Sequence, residues 1–160
     1  LSLGVTLPTA EEQTSSNGEP LDIDVQPGAG STIPQLGVWY SRFKFPYLFY
    51  VSSVLNLPGE GDQGFDPGTS VVTTLQSQYS PGYRWAMQLS LDTRWSEKDE
   101  YDGIEDPNSG GFLAFLTPGV VLTLKEDLLL QLRTQIPVID NLDGDHEEEQ
   151  TFSIGMVYDF

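Results

Sequence analysis

His146 is the only histidine in the chain and lies in Asp143-Gly144-Asp145-His146-Glu147-Glu148-Glu149. An imidazole works as a general base only when it is held against a nucleophile and oriented by a third group. The sequence supplies neither partner, so His146 reads as part of a solvated, charged loop. Asp140, Asp143 and Asp145 around Gly144 have the oxygen density of a calcium loop. They lack the flanking helices and the closing glutamate at the required distance, so weak association of divalent cations at an acidic rim is expected rather than a dedicated metal site. Gly59-Glu60-Gly61 and Gly28-Ala29-Gly30 are too short for phosphate cradles, which need a strand and a following helix, and read as turns. With no cysteine there is no thiol nucleophile, thiolate metal site or disulfide framework. Seven Lys plus Arg against 24 Asp plus Glu, a net charge of -17, exclude a basic surface for nucleic acid. The expectation is therefore no enzyme: no catalytic, cofactor-binding or metal-ligating residue, and no cofactor.

The remaining chemistry-bearing residues are a sparse set inside alternating segments: Arg42, Lys44, Arg84, Asp92, Arg94 and Arg133. What they can do depends on the elements that carry them. Tyr83, Trp85, Met87, Leu89, Leu91, Thr93 and Trp95 alternate with Arg84, Ala86, Gln88, Ser90, Asp92 and Arg94, the period of a strand with one apolar face. The segment is long enough to cross a bilayer, for which a tilted strand uses about 9 to 11 residues. Phe152, Ile154, Met156, Tyr158 and Phe160 repeat the pattern against Ser153, Gly155, Val157 and Asp159. The same reading predicts about eight strands, near 1–7, 35–45, 47–57, 69–79, 83–95, 111–124, 127–138 and 151–160.

Connections alternate in length, tight at 45–47, 80–82 and 125–127 and long at 8–34, 58–68, 96–110 and 139–150. Short turns on one side and long loops on the other are the plan of an outer-membrane barrel, with turns and both chain ends periplasmic and loops extracellular. Mean hydropathy is -0.24, a value that carries no weight when only alternate residues need be apolar. No apolar run approaches the roughly 18 residues of a transmembrane helix.

Most acidic residues fall in the long loops. Loops 96–110 and 139–150 are expected to be mobile or cation-dependent, with ions shared between them and lipopolysaccharide. Phe45, Tyr47, Tyr79, Tyr83, Tyr158 and Phe160 gather toward the turns and Trp39, Trp95, Tyr101 and Phe112 toward the loops, as two interfacial girdles. The competing architecture is a soluble antiparallel barrel or sandwich, which alternates equally but turns its apolar face inward. In the membrane reading, alternation sends Arg42, Lys44, Arg84, Arg94 and Arg133 into the lumen with Asp92 and Asp159. There they form either a positively charged path favouring anionic or aromatic solutes, or a polar network that fills the interior.

Ser153-Ile154-Gly155-Met156-Val157-Tyr158-Asp159-Phe160 resembles the C-terminal assembly signal of outer-membrane barrels, with Gly155, Tyr158 and Phe160 carrying the match. The resemblance implies recognition by the barrel-assembly machinery. A second resemblance rests on Leu7-Pro8-Thr9, Gln26-Pro27-Gly28-Ala29-Gly30-Ser31, Leu36-Gly37-Val38, Asn56-Leu57-Pro58-Gly59-Glu60-Gly61, Thr117-Pro118-Gly119-Val120 and Gln135-Ile136-Pro137-Val138. This series is similar to the transporter, or phenol-degradation meta-pathway, outer-membrane proteins. Ala10 and the segment after Ser31 depart from that pattern. The resemblance implies passage of small molecules and further strands before Leu1, so that residues 1–160 form the C-terminal part of a barrel of about twelve strands, although the even strand count also permits a complete barrel of eight. The alternative is a non-conducting barrel serving as membrane anchor or as a component of a surface assembly.

Overall fold

The computed structural model describes residues 1–10, 13–21, 25–144 and 148–158. His146, Asp159 and Phe160, all singled out above, lie outside the described residues. Eleven strands occur among those described: β1 Ser2–Thr6, β2 Ile33–Lys44, β3 Tyr47–Asn56, β4 Phe65–Asp66, β5 Ser70–Tyr79, β6 Trp85–Ser96, β7 Glu100–Tyr101, β8 Ile104–Glu105, β9 Gly111–Lys125, β10 Leu128–Leu142 and β11 Thr151–Tyr158. Eight of them form one sheet in the order β1-β2-β3-β5-β6-β9-β10-β11, and β4, β7 and β8 form a small second sheet within the loops. Every neighbouring pair in the large sheet is antiparallel. The fold is all-β, and among the described residues no helix is long and apolar enough to cross a membrane.

The eight alternating segments each become one strand of a meander, but the sheet does not close. Among the described residues β1 pairs only with β2 and β11 only with β10. The two edge strands cover different lengths of their neighbours. β1 lies against the loop-end half of β2, from Ser2–Gly37 to Thr6–Ile33. β11 lies against the turn-end half of β10, from Gln135–Thr151 to Leu128–Tyr158. The two edges are therefore staggered along the strand direction and present different rows to one another.

Residues directly opposite in antiparallel strands share a face, so the register sorts every side chain. One row runs Trp39, Ser52, Thr74, Asp92, Phe115, Pro137, and the next runs Tyr40, Val51, Leu75, Leu91, Leu116, Ile136. The first belongs to a mainly polar face and the second to a mainly apolar one. The apolar face is open: Val38, Tyr40, Phe49, Leu75, Met87, Leu89 and Trp95 are all exposed, as are Phe152 at 74% and Ile154 at 78%. In β6 the apolar face is exposed at Trp85, Met87 and Leu89, while Ala86, Gln88 and Ser90 behind them are more sheltered.

Two prolines shape β9 and β10. The β9–β10 ladder skips Thr134 and Gln135, the stretch opposite Pro118, which has no N–H to contribute. Next to Pro137 the register shifts between Pro137 and Ile139, leaving Val138 as the extra residue of a bulge. The bulge carries β10 on to Leu142, beyond the expected end at 138, and brings Asp140 into the sheet opposite Leu113.

The register corrects three expectations. Arg42 stands opposite Phe49 and Lys44 opposite Tyr47, on the apolar face and not beside Asp92. Both lie at the turn end of the sheet. Trp39 is not part of a loop-side girdle: it stands at mid-strand opposite Ser52 on the polar face, 60% exposed. Loop 96–110 carries regular structure of its own. It contains β7 and β8, pairs with β4 and stacks Tyr101 on Phe65 at 4.9 Å between ring centroids.

Candidate functional site

The polar face holds a connected set of side chains at its centre. Thr74 Oγ1 in β5 donates to Asp92 Oδ1 at 2.9 Å, while Ser90 Oγ in β6 and Thr117 Oγ1 in β9 donate to Asp92 Oδ2 at 2.8 and 3.1 Å. The carboxylate is thus satisfied by three hydroxyls from three strands. Among the described residues its partners include no guanidinium, because the one ion pair there joins Lys98 Nζ and Asp143 Oδ2 at 3.7 Å in the loops. A network in which arginines neutralise Asp92 is not what forms.

Toward the turns, amides take over. Gln78 Nε2 donates to Ser80 Oγ at 2.8 Å, Gln88 Nε2 to Gln78 Oε1 at 2.8 Å, and Gln131 Nε2 to Gln88 Oε1 at 3.1 Å. This last bond passes over β9 at Gly119, which is opposite Gln88 on one side and Arg133 on the other. A Cβ on Gly119 would stand 2.9 Å from Arg133 Cγ, so the missing side chain is what lets Arg133 lie across the strand.

Toward the loops the polar face deepens into a cavity of about 670 Å³. Its floor comes from the last rows of the sheet, with Gln35, Asn56, Ser70, Arg94 and Ser96 as polar members and Ile33, Leu113 and Leu142 as apolar ones. Asn56 Nδ2 donates to Ser70 Oγ at 3.0 Å. The wall between β9 and β10 closes tightly because Gly111, at φ +115°, lets β9 approach the backbone at Asn141, where a Cβ would come within 2.5 Å of the carbonyl.

The roof is built by the loops, and acidic side chains organise it. Asp99 Oδ1 accepts the Gly68 N–H at 2.7 Å, and the Asp99 N–H donates to Ser109 Oγ at 2.8 Å. Gly61 N–H donates to Phe65 O at 2.7 Å, and Gly59 N–H to Thr32 O at 3.0 Å, tying the 57–69 loop to the start of β2. From the third loop, Glu148 donates its N–H to Asp140 Oδ2 at 3.0 Å and lines the cavity. Arg94, Asp99 and Glu148 therefore share one space without an ion pair among them.

The structure thus separates the six basic and acidic residues named from sequence. Asp92, Arg94 and Arg133 lie on the polar face, with Arg94 at the cavity. Arg84 precedes β6 at the turn end, its Cζ 5.8 Å from the Tyr83 ring centroid. Arg42 and Lys44 lie on the other face. Gly155 is opposite Gln131 and Tyr158 opposite Leu128 in the edge strand, and a Cβ at Gly155 would meet Gln131 only at ordinary contact distance. Among the described residues no three acidic or imidazole groups converge to hold a metal ion.

Sequence reasoning passed over Thr74, Ser90 and Thr117, the glutamine ladder, and the cavity residues Gln35, Asn56, Asp99 and Glu148. The hydroxyls and amides had a usable signal, since they occupy alternate positions next to Asp92 and Gln88 in period-two segments. Asp99 and Glu148 carried none, because loop tertiary structure brings them together.

No protein-family model matches the sequence, and no curated protein is significantly similar to it.

Proposed function

We propose that this chain forms the wall of an outer-membrane β-barrel that passes small molecules, with the polar face lining the path and the apolar face against lipid. The observation that carries the reading is the apolar face, exposed at large side chains across the sheet from β1 to β11. A water-soluble sheet buries such a face against a second layer, and a patch of this extent needs a lipid or protein cover. The loop asymmetry supports the same reading, with the long segments placed outside the cell and the tight turns in the periplasm. In hydrocarbon the outer edges of β1 and β11, which pair with no second strand among the described residues, need partners, which we assign to further strands in a barrel of about twelve. Assembly then runs through the barrel-assembly machinery acting on β11, and the acidic loops meet lipopolysaccharide through shared divalent cations.

Planar-bilayer recording of the full-length protein tests the proposal. Discrete conductance steps are expected, with a selectivity that shifts toward cations in the Arg94→Gln, Arg133→Gln double variant. A folded protein that inserts without conducting refutes transport. It leaves the second reading, a non-conducting anchor or assembly component, which the hydrogen-bonded network from Gln78 to Gln131 favours because such a network fills an interior.

A further inference from the structure

We infer that the loop-end cavity binds small zwitterions, compounds carrying a carboxylate at one end and an ammonium at the other, of amino-acid or short-peptide character. The inference rests on reading the polar face as the solute path and adds the class of solute.

Arg94 rises from the floor, two residues before the end of β6, while Asp99 and Glu148 enter from the roof. A structural arginine next to two carboxylates would be expected to pair with one of them. Here no carboxylate oxygen among the described residues lies within ion-pair distance of Arg94. Asp99 is held through its side chain and Glu148 through its backbone. Asp99 spends one oxygen on the Gly68 N–H, and the backbone of Glu148 is held by Asp140. Positive and negative charge thus face one space from different sides, held apart by the fold.

A simple anion would meet two carboxylates beside its one guanidinium, and a simple cation would meet the guanidinium. A zwitterion satisfies both sides at once. Its carboxylate takes the planar fork of Arg94, for which guanidinium geometry is suited, and its ammonium takes the free oxygens of the roof. Gln35 and Ser96 add neutral donors and acceptors on the floor. Ile33, Leu113 and Leu142 supply an apolar wall for a side chain. The volume of about 670 Å³ lies within the usual range of small-molecule sites.

The test uses the full-length protein folded in detergent and three related probes followed by titration calorimetry: L-leucine, N-acetyl-L-leucine, which lacks the cation, and L-leucinamide, which lacks the anion. Leucine is expected to bind at least about tenfold more tightly than either analogue, the lower range for a hydrogen bond to a charged group. Arg94→Gln should reduce leucine to the level of leucinamide, and Glu148→Gln should weaken leucine while leaving N-acetyl-leucine unchanged or tighter. Equal binding of leucine and N-acetyl-leucine, equal binding of leucine and leucinamide, or no binding by any probe each overturns the inference. So does an Arg94→Gln protein that binds leucine normally. Conductance is read separately. A conducting protein that ignores leucine refutes the zwitterion site and leaves the channel standing, whereas leucine binding without conductance refutes the channel and leaves the site.

Discussion

Replacing Asp92 by alanine removes the acceptor for three hydroxyls and cuts the two side-chain bonds that cross from β6 to β5 and β9. The third, from Ser90, stays within β6 and holds the carboxylate in place. A net hydrogen bond is worth about 0.5 to 1.5 kcal/mol, and more when one partner is charged. Asp92 is half-buried, so the lower figure applies and the two cross-strand bonds together contribute about 2 kcal/mol. With a urea slope of roughly 2 kcal/mol per molar, Asp92→Ala should lower the unfolding midpoint by about 1 M. Asn at the same position keeps one acceptor oxygen and offers two N–H donors. The hydroxyls of Thr74, Ser90 and Thr117 can rotate to accept them, so Asp92→Asn should lose less than about 1 kcal/mol. The measurement is urea unfolding of the folded full-length protein in detergent, followed by tryptophan fluorescence. Asp92→Ala within about 0.5 kcal/mol of the parent, or Asp92→Asn as damaging as Asp92→Ala, would refute the view that this carboxylate joins three strands through hydroxyl donors.

Gly119→Val should destabilise by about 1 to 3 kcal/mol in the same assay, because its Cβ meets Arg133 Cγ at 2.9 Å and Leu132 O at 3.1 Å; an unchanged midpoint would contradict the crossing of Arg133 over β9. Arg42→Leu should change stability in lipid by no more than about 1 kcal/mol, the range for a basic residue near an interface, and a larger loss would argue that Arg42 faces the polar side after all. Asp99→Ala removes the acceptor of the Gly68 N–H, so limited proteolysis should cut loops 57–69 and 97–110 faster while leaving the sheet protected; cleavage at the parent rate would show that the roof is held otherwise. The chain has no cysteine, so Leu89→Cys and Gln88→Cys can be labelled cleanly in liposomes: a lipid-phase reagent should modify the first and an aqueous maleimide the second, and the reverse order would remove the membrane reading.

Where a segment has one wholly apolar side, alternation alone assigns its faces. β6 and β11 are such cases, and the structure keeps Trp85, Met87, Leu89, Leu91 and Trp95 together, as it does Phe152, Ile154 and Met156. β2 is different. Both of its faces are mixed, with Trp39, Ser41 and Phe43 on one side and Val38, Tyr40, Arg42 and Lys44 on the other. Reading charge as inward and aromatics as outward then inverts the strand. Only the partner strand resolves it, since Arg42 must follow Phe49, Ser77 and Leu89 across the sheet. A period of two fixes which residues share a side but not which side that is, and one mis-assigned strand moves its whole set of charges.

The cavity was less legible for a related reason. Its polar floor is formed by residues that end different strands, and they meet because the ladder puts Gln35, Asn56, Ser70, Ser96, Gly111 and Leu142 in one row. That row is set by the tight turns at the opposite end of the sheet, about nine residues away along β2, β3 and β5 and further along β6, β9 and β10. The turn at Phe45 and Pro46 and the bulge at Val138 therefore position Arg94 against its neighbours as firmly as any contact beside it. A one-residue change in either would shift a neighbouring strand, turn its polar side chains to the apolar face and dismantle the floor without altering any residue that lines it.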